Sequence, residues 1–217
     1  MWFKTGSRGW FFTSKRLQNK AQDRASRTLG NLFKYLMLWS LLASHSTVCH
    51  VPDGTIRPDA PRPVAVLPGS FNPLHHGHTS LAAIAAARLG AQVAYELSVA
   101  NVDKPELSAE EVARRVTQFA GLAPVWITRA ATFAAKAELF PGAAFVVGYD
   151  TAVRLVDPRY HQNDLALRDA ALRGIRDRGC RVVVGGRMDA DGVFRTWSGG
   201  DHQPSRTLAP WCNWIRR

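Results

Sequence analysis

The chain has 217 residues, 46% of them hydrophobic and 21% charged, and it carries a formal net charge of +11. This composition excludes a fibrous or intrinsically disordered protein, and the length suffices for one well-packed domain with appendages. Residues 1–60 hold nine basic side chains against three acidic ones, whereas residues 61–217 hold nineteen against fourteen. The excess charge is concentrated at the N-terminal end, so it predicts no nucleic-acid partner for the rest of the chain.

Residues 1–60 form a basic extension in which Asp23 is the only acid before Thr47. This composition is typical of an organelle-targeting presequence, and it fits a disordered or wrongly included upstream extension equally well. The apolar segment Leu32–Ala43 is interrupted by Lys34 and is shorter than the roughly 20 residues that a membrane-spanning helix needs. We therefore predict no stable membrane span and interpret this segment as a stray amphipathic or signal-like element.

The cysteines point to a reducing compartment. There are three of them, they are widely spaced, and none forms a C-x-x-C pair, which indicates neither a disulfide framework nor a zinc site. We expect an intracellular protein that is cytoplasmic by default, or mitochondrial if residues 1–60 are a genuine presequence. Nothing in the residues indicates an oligomeric state.

Four prolines and a glycine in Val51–Pro63 predict a linker, so the folded domain is expected to begin near Val64. Apolar runs predict strands at Val64–Pro68, Gln92–Val99, Val125–Arg129, Ala143–Asp150 and Arg181–Arg187. Helices are predicted between them, at His78–Gly90 and at Ser108–Gly121, where Ser108 and Glu111 form a capping box.

Near-continuous apolar strands that alternate with helices indicate an α/β fold, a Rossmann-like parallel sheet with helices on both faces. We place this domain at residues 64–200, flanked by irregular N- and C-terminal extensions. The segment Met188–Trp197 is interpreted as a hairpin or an edge strand, and residues 201–217 are expected to be an irregular tail, typical of a truncated or frame-shifted terminus.

The string LPGSFNPLHHGHTS, Leu67–Ser80, lies where the first strand of this domain passes into its first helix. Gly69 and Gly77 allow the backbone to turn sharply and approach a ligand closely. The free N–H groups and the dipole at the helix start favour an anion, and the imidazoles of His75 and His78 add donors there. The spacing predicts a phosphate pocket without a P-loop lysine; the competing interpretation is that the histidines merely cap and pack a turn.

The string resembles the H-x-G-H signature of the nucleotidyltransferase superfamily with the cytidylyltransferase-like fold, which reads G-x-F-D/N-P-x-H-x-G-H. Three further segments are similar to that family: Asn101–Val116 to the segment after its second strand, Phe145–Leu155 to its G-x-D motif, and Val182–Arg187 to its fifth strand. Among the branches of the superfamily, the amino-acid sequences of these segments resemble nicotinamide mononucleotide adenylyltransferase-like proteins most closely.

This resemblance implies a nucleotidyltransferase, with AMP passing from ATP to nicotinamide mononucleotide to give NAD and pyrophosphate. It implies catalytic roles for His75, His78 and Lys104, and nucleotide contacts from Gly69, Ser70, Phe71, Asn72, Gly77, Gly148, Asp150 and Arg187. No carboxylate cluster predicts a protein-held metal, so Mg²⁺ is expected to arrive with the triphosphate.

Several of these residues have structural alternatives. The alternative for Lys104 is a solvated loop lysine, for Asp150 the N-cap of a helix, and for Arg187 one partner of a surface ion pair. Arg115 is expected to be a packing or salt-bridge arginine.

The chain departs from the family near its C-terminus. The S-S-T-x-I-R type string that grips the β- and γ-phosphates is missing, and Gln203–Pro210 holds the residue types in the wrong order. Two alternatives therefore stay open beside adenylyl transfer. One is cytidylyl transfer from CTP to a phosphorylated alcohol, and the other is a nucleotide-binding module with impaired catalysis.

Overall fold

The computed structural model of the protein describes residues 36–43, 47–102, 105–188, 191, 194–195 and 212–215. Its strands are β1 (Thr47–His50), β2 (Ile56–Arg57), β3 (Ala65–Pro68), β4 (Ala94–Ser98), β5 (Val125–Thr128), β6 (Ala144–Gly148), β7 (Arg181–Gly185), β8 (Arg187–Met188), β9 (Phe194–Arg195) and β10 (Cys212–Ile215). Eight of these strands form one sheet in the order β10-β7-β6-β3-β4-β5-β1-β2.

The middle of the sheet is parallel. Strand β3 pairs with β4 on one side and β6 on the other, and β5 and β7 continue the sheet outward in the same direction. These strands are short runs of apolar residues buried on both faces, which is the pattern of a parallel sheet covered by helices. The predicted Rossmann-like α/β fold is confirmed.

Helices cover both faces of the sheet. They are α1 (residues 36–43), α2 (His76–Leu89), α3 (Ala109–Val116), α4 (Phe133–Leu139), α5 (Tyr149–Val156) and α6 (Leu165–Asp177), with 3₁₀ turns at Thr117–Phe119 and Pro158–His161. Apolar residues of α1, α2 and α3 pack on one face of the sheet, and those of α4 and α6 pack on the other. None of the described helices combines the length and apolar character that crossing a membrane requires.

The folded region begins before Val64, contrary to the prediction. All four residues of β1 are buried, and β1 pairs antiparallel with β5 in a register that places Cys49 beside Trp126. Helix α1 buries Leu38 and Leu42 in the same core as β4. The basic composition of residues 1–60 hid these elements, and β1 itself holds the polar residues Thr47 and His50, so no apolar run marks it.

The C-terminal prediction needs a similar correction. Strand β10, within the expected irregular tail, pairs in parallel with β7 and extends the sheet at its other edge. The sequence of β10, CNWI, includes an asparagine and so lacks the continuous apolar run that marks β3, β6 and β7. Strands β8 and β9 pair antiparallel, Met188 opposite Phe194, which confirms the hairpin interpretation of Met188–Trp197.

Candidate functional site

The sheet has a switch point between β3 and β6. From β3 the chain moves outward through β4 and β5, and it then returns to add β6 and β7 on the opposite side of β3. The connections after β3 and β6 therefore diverge, and a crevice opens beyond the carboxyl ends of these two strands. Ligands of doubly wound sheets bind in such crevices.

A cavity of about 550 Å³ lies at this place. Gly69 and Ser70 of the loop after β3 form one wall together with His75, Gly77 and His78 at the start of α2. The opposite wall is contributed by the start of α5 and by the end of β7. The volume falls within the range of about 300–1,000 Å³ that is usual for small-molecule sites.

His75 and His78 contact each other directly. Their rings stack with centroids 3.8 Å apart and an interplanar angle of 26°, and the backbone N–H of His75 donates to Nδ1 of His78 over 3.3 Å. His75 is the N-cap of α2 and has an extended backbone, which places its ring beside the first turn of the helix. Partial burial, and then the charge of His75, lower the pKa of His78 below its ordinary value.

Gly77 keeps room for this stack. A Cβ atom at position 77 would lie 3.0 Å from Cε1 and Nδ1 of His75, closer than nearly all such contacts in proteins. Any larger residue would push the His75 ring away from His78.

Two helix N-termini meet at the cavity. Helix α2 starts at His76, and α5 starts at Tyr149 with Gly148 as its N-cap. The free N–H groups and positive dipole ends of both helices favour a bound anion between them. Asp150 lies in the first turn of α5, is exposed and lines the cavity.

The family comparison agrees with this arrangement. Residues 66–171, which run from β3 into α6, match the family model described as cytidylyltransferase-like. The chain contains a cytidylyltransferase-like domain. This domain lies within the nucleotidyltransferase superfamily, as the H-x-G-H resemblance predicted. Comparisons with curated proteins and with solved structures gave no match.

Most residues predicted for the site of the cytidylyltransferase-like domain do lie together. Seven of them line the one cavity: Gly69, Ser70, His75, Gly77, His78, Gly148 and Asp150. The alternative that Asp150 is the N-cap of its helix does not hold, because Gly148 occupies that position.

Phe71 and Asn72 lie elsewhere. The Phe71 side chain is fully buried in the core, where its ring packs edge-on against Phe119 at 5.1 Å, so we correct its predicted nucleotide contact to support of the loop from beneath. Asn72 is exposed, and its side-chain oxygen accepts a hydrogen bond from Arg114 rather than facing the cavity. Both residues shape the loop without lining the cavity.

Two further predicted residues fall where the structure gives no side-chain description. Lys104 lies outside the described residues. The backbone of Arg187 belongs to β8, one residue beyond the cavity-lining Gly186, and its side chain lies outside the description. Their roles stay predictions.

Arg115 is confirmed as a salt-bridge arginine. Its guanidinium is buried, and it pairs with Glu111 while donating a hydrogen bond of 2.9 Å to the carbonyl oxygen of Ser70. Glu111 also binds Arg114, and these two hydrogen bonds hold the pKa of its carboxyl group at about 2. The Ser108 hydroxyl accepts from the N–H of Glu111, which is half of the predicted capping box.

The cavity also includes residues that the sequence analysis did not select. These are Ser80, Leu81 and Ile84 on α2, Tyr149 and Thr151 on α5, and the pair Gly185 and Gly186 after β7. The α2 residues follow Gly77 at steps of three and four positions, so helical periodicity carried a signal for them. The paired glycines at a predicted strand end were a second signal.

A buried ion pair joins helix α4 to strand β4. Nζ of Lys136 on α4 lies 2.8 Å from Oε1 of Glu96 on β4, and Thr128 donates to that same oxygen over 2.6 Å. Lys136 also donates to the carbonyl oxygen of Ala130. The backbone carbonyl of Glu96 accepts from the N–H of Gly69, so β4 anchors the beginning of the histidine-bearing loop.

Proposed function

We propose that the protein is a nucleotidyltransferase that transfers AMP from ATP to nicotinamide mononucleotide, giving NAD and pyrophosphate. The observation that carries this proposal is the convergence of the His75–His78 stack and two helix N-termini on one cavity at the switch point of the sheet. Donors and positive dipole ends at one place are what a triphosphate requires.

In the proposed reaction, a phosphate oxygen of the acceptor attacks the α-phosphorus of the nucleoside triphosphate. A new phosphoanhydride bond forms, the bond between the α-phosphorus and its bridging oxygen to the β-phosphorus breaks, and pyrophosphate leaves with the bonding electrons. No covalent intermediate with the protein is needed, so positioning and electrostatic stabilisation supply the catalysis.

His75 and His78 are proposed to donate to oxygens of the triphosphate as negative charge develops on them. The N–H groups at the starts of α2 and α5 would bind phosphate oxygens on either side. Within the described residues no three His, Cys, Asp or Glu side chains cluster as metal ligands. We propose that Mg²⁺ enters on the triphosphate, where it neutralises charge and keeps several water ligands.

The choice of ATP and nicotinamide mononucleotide rests on the resemblance of the sequence motifs to nicotinamide mononucleotide adenylyltransferase-like proteins. A direct assay tests it. Purified protein with ATP, Mg²⁺ and nicotinamide mononucleotide should form NAD and pyrophosphate in equal amounts. The variant His78→Ala should lose most of that activity, because it removes one of the two imidazole donors. CTP with a panel of phosphorylated alcohols is run in parallel, and product formation there alone would replace adenylyl with cytidylyl transfer.

The absent S-S-T-x-I-R type string favours a second candidate, a nucleotide-binding module with little catalysis. Losing one preorganised donor can cost about a hundredfold or more in rate. Calorimetry would support this candidate if ATP binds, if His78→Ala abolishes the binding, and if no pyrophosphate is released with any acceptor.

A further inference from the structure

The loop that precedes the two histidines has an unusual backbone. Phe71 has a φ of 45°, in the left-handed region that bulky side chains rarely adopt. Such a conformation is strained and persists only where the surroundings impose it. Something outside the loop must therefore hold Phe71 in place.

The side-chain amide of Gln118 supplies that constraint. Its Nε2 donates a hydrogen bond of 3.0 Å to the carbonyl oxygen of Phe71, and its Oε1 accepts one of 2.8 Å from the N–H of Leu74. One amide therefore clamps both ends of the Phe71–Leu74 turn. Gln118 lies in the 3₁₀ turn after α3, and Nε2 also bonds the carbonyl oxygen of Arg115 over 3.1 Å, which fixes the direction of the side chain.

The clamp reaches the site through an aromatic contact. The Phe71 ring packs edge-on against His78, with centroids 5.1 Å apart, and His78 in turn stacks on His75. Phe119, the neighbour of Gln118, also packs edge-on against the Phe71 ring, with centroids 5.1 Å apart. Movement of the Phe71 backbone would displace the surface on which the His78 imidazole rests.

We propose that Gln118 is a positioning residue of the nucleotidyl-transfer site, one that holds the two imidazoles in register by clamping the Phe71–Leu74 turn. This inference rests on the proposed function for its catalytic consequence. Gln118 does not line the cavity, so it acts through Phe71 and not on the nucleotide.

The chemistry of the clamp selects glutamine. A primary amide offers a donor and an acceptor on one planar group, and both are used here. Glutamate would keep an acceptor for Leu74 but set a carboxylate against the Phe71 carbonyl, and methionine would keep the volume but lose both hydrogen bonds. Gln118→Met and Gln118→Glu therefore separate volume from hydrogen bonding.

The first measurement needs no nucleotide. Imidazole signals of the free protein are followed by NMR across a pH titration. In Gln118→Met and Gln118→Glu we expect the His78 titration to move toward that of an ordinary histidine. Thr117→Ala is the matched control, because Thr117 is exposed on the same turn and its hydroxyl donates to the Arg114 carbonyl, so the change leaves the backbone hydrogen bonds of the turn in place.

The second measurement is kinetic. We expect kcat for pyrophosphate release to fall about tenfold to a hundredfold in both Gln118 variants, with a smaller change in KM, because misplaced donors act mainly on the transition state. Thr117→Ala should keep the parent values.

The outcomes separate the two hypotheses. If the parent protein is inactive with every nucleotide but the His78 titration still moves in the Gln118 variants, the positioning inference stands and the proposed function falls. If the variants lose only thermal stability, while the His78 titration and the kcat match those of the parent, Gln118 is merely structural and the inference is overturned.

Discussion

The imidazole rings of His75 and His78 stack 3.8 Å apart, so a proton on one ring opposes a proton on the other. The lowered pKa of His78 keeps it neutral near pH 7 in the free protein. A bound triphosphate would favour the charged form, so we expect binding to take up a proton and to become tighter as the pH falls toward 6. Calorimetry of ATP binding in two buffers of different ionisation enthalpy measures that proton.

The variant His78→Gln should abolish the buffer dependence, and equal enthalpies for the parent protein in both buffers would contradict the prediction. The same shift has a consequence for folding. Because the folded state holds the proton of His78 less tightly than the unfolded chain, this group lowers the free energy of unfolding as the pH falls through 6.5.

Replacing Gly69 by alanine should strain the loop from within. The added Cβ would lie 2.7 Å from Cε1 and Cζ of Phe71, and that ring is fully buried. We expect a loss of about 1–3 kcal/mol in the free energy of unfolding, as for other overpacked cores, measured by urea denaturation.

A double-mutant cycle identifies the cause of that loss. If the clash with the ring is responsible, Gly69→Ala should cost less in a Phe71→Leu background than in the parent protein. Strictly additive effects would assign the loss to another cause.

Lys136→Met should be among the most destabilising single changes in the domain. It leaves the fully buried carboxylate of Glu96 without its cation, and breaking a buried pair in this way costs about 3–5 kcal/mol. Adding Glu96→Gln should recover part of the loss, because the remaining group is then neutral.

Helix α4 carries its own control for this experiment. Glu138→Gln removes an exposed ion pair with Arg178 and should change the free energy of unfolding by less than about 1 kcal/mol. Equal effects of Lys136→Met and Glu138→Gln in urea denaturation would show that the buried pair is not special.

Alkylation of Cys49 tests whether β1 belongs to the sheet. The thiol is 2% exposed, and burial raises its pKa to about 11, so the reactive thiolate is scarce at pH 8. Iodoacetamide should modify Cys49 slowly in the native protein and rapidly in urea, as read from peptide masses. Equally fast modification in both conditions would mean that β1 is not held in the sheet.

The parallel core could be predicted because most of its strands are nearly continuous apolar runs. Val182–Val184 is such a run, and glycine stops such as Gly90, which has a φ of 62°, mark the helix ends. The start of α2 is two residues earlier than expected, because His75 acts as the N-cap, a position that serine, threonine, asparagine or aspartate usually fills.

The cavity was predicted in outline from the glycines and histidines of a single loop, since such motifs are local in sequence. Its support was not. Gln118 contacts Phe71 across 47 residues and Leu74 across 44, and no spacing rule connects positions so far apart. Strand β1 was missed for a related reason, since Thr47 and His50 are polar types that only the folded sheet reveals as buried.

The pairing of β1 with β5 limits how this chain can be processed. Cleavage between β1 and β2 would remove β1, uncover the backbone N–H and C=O groups along β5 and leave a bare edge, the kind of surface on which sheets of separate molecules join. Cleavage between α1 and β1 would keep that pairing but remove Leu38 and Leu42 from the core. If the basic extension is a removable targeting sequence, a peptidase that leaves both elements in place must therefore cut upstream of residue 36.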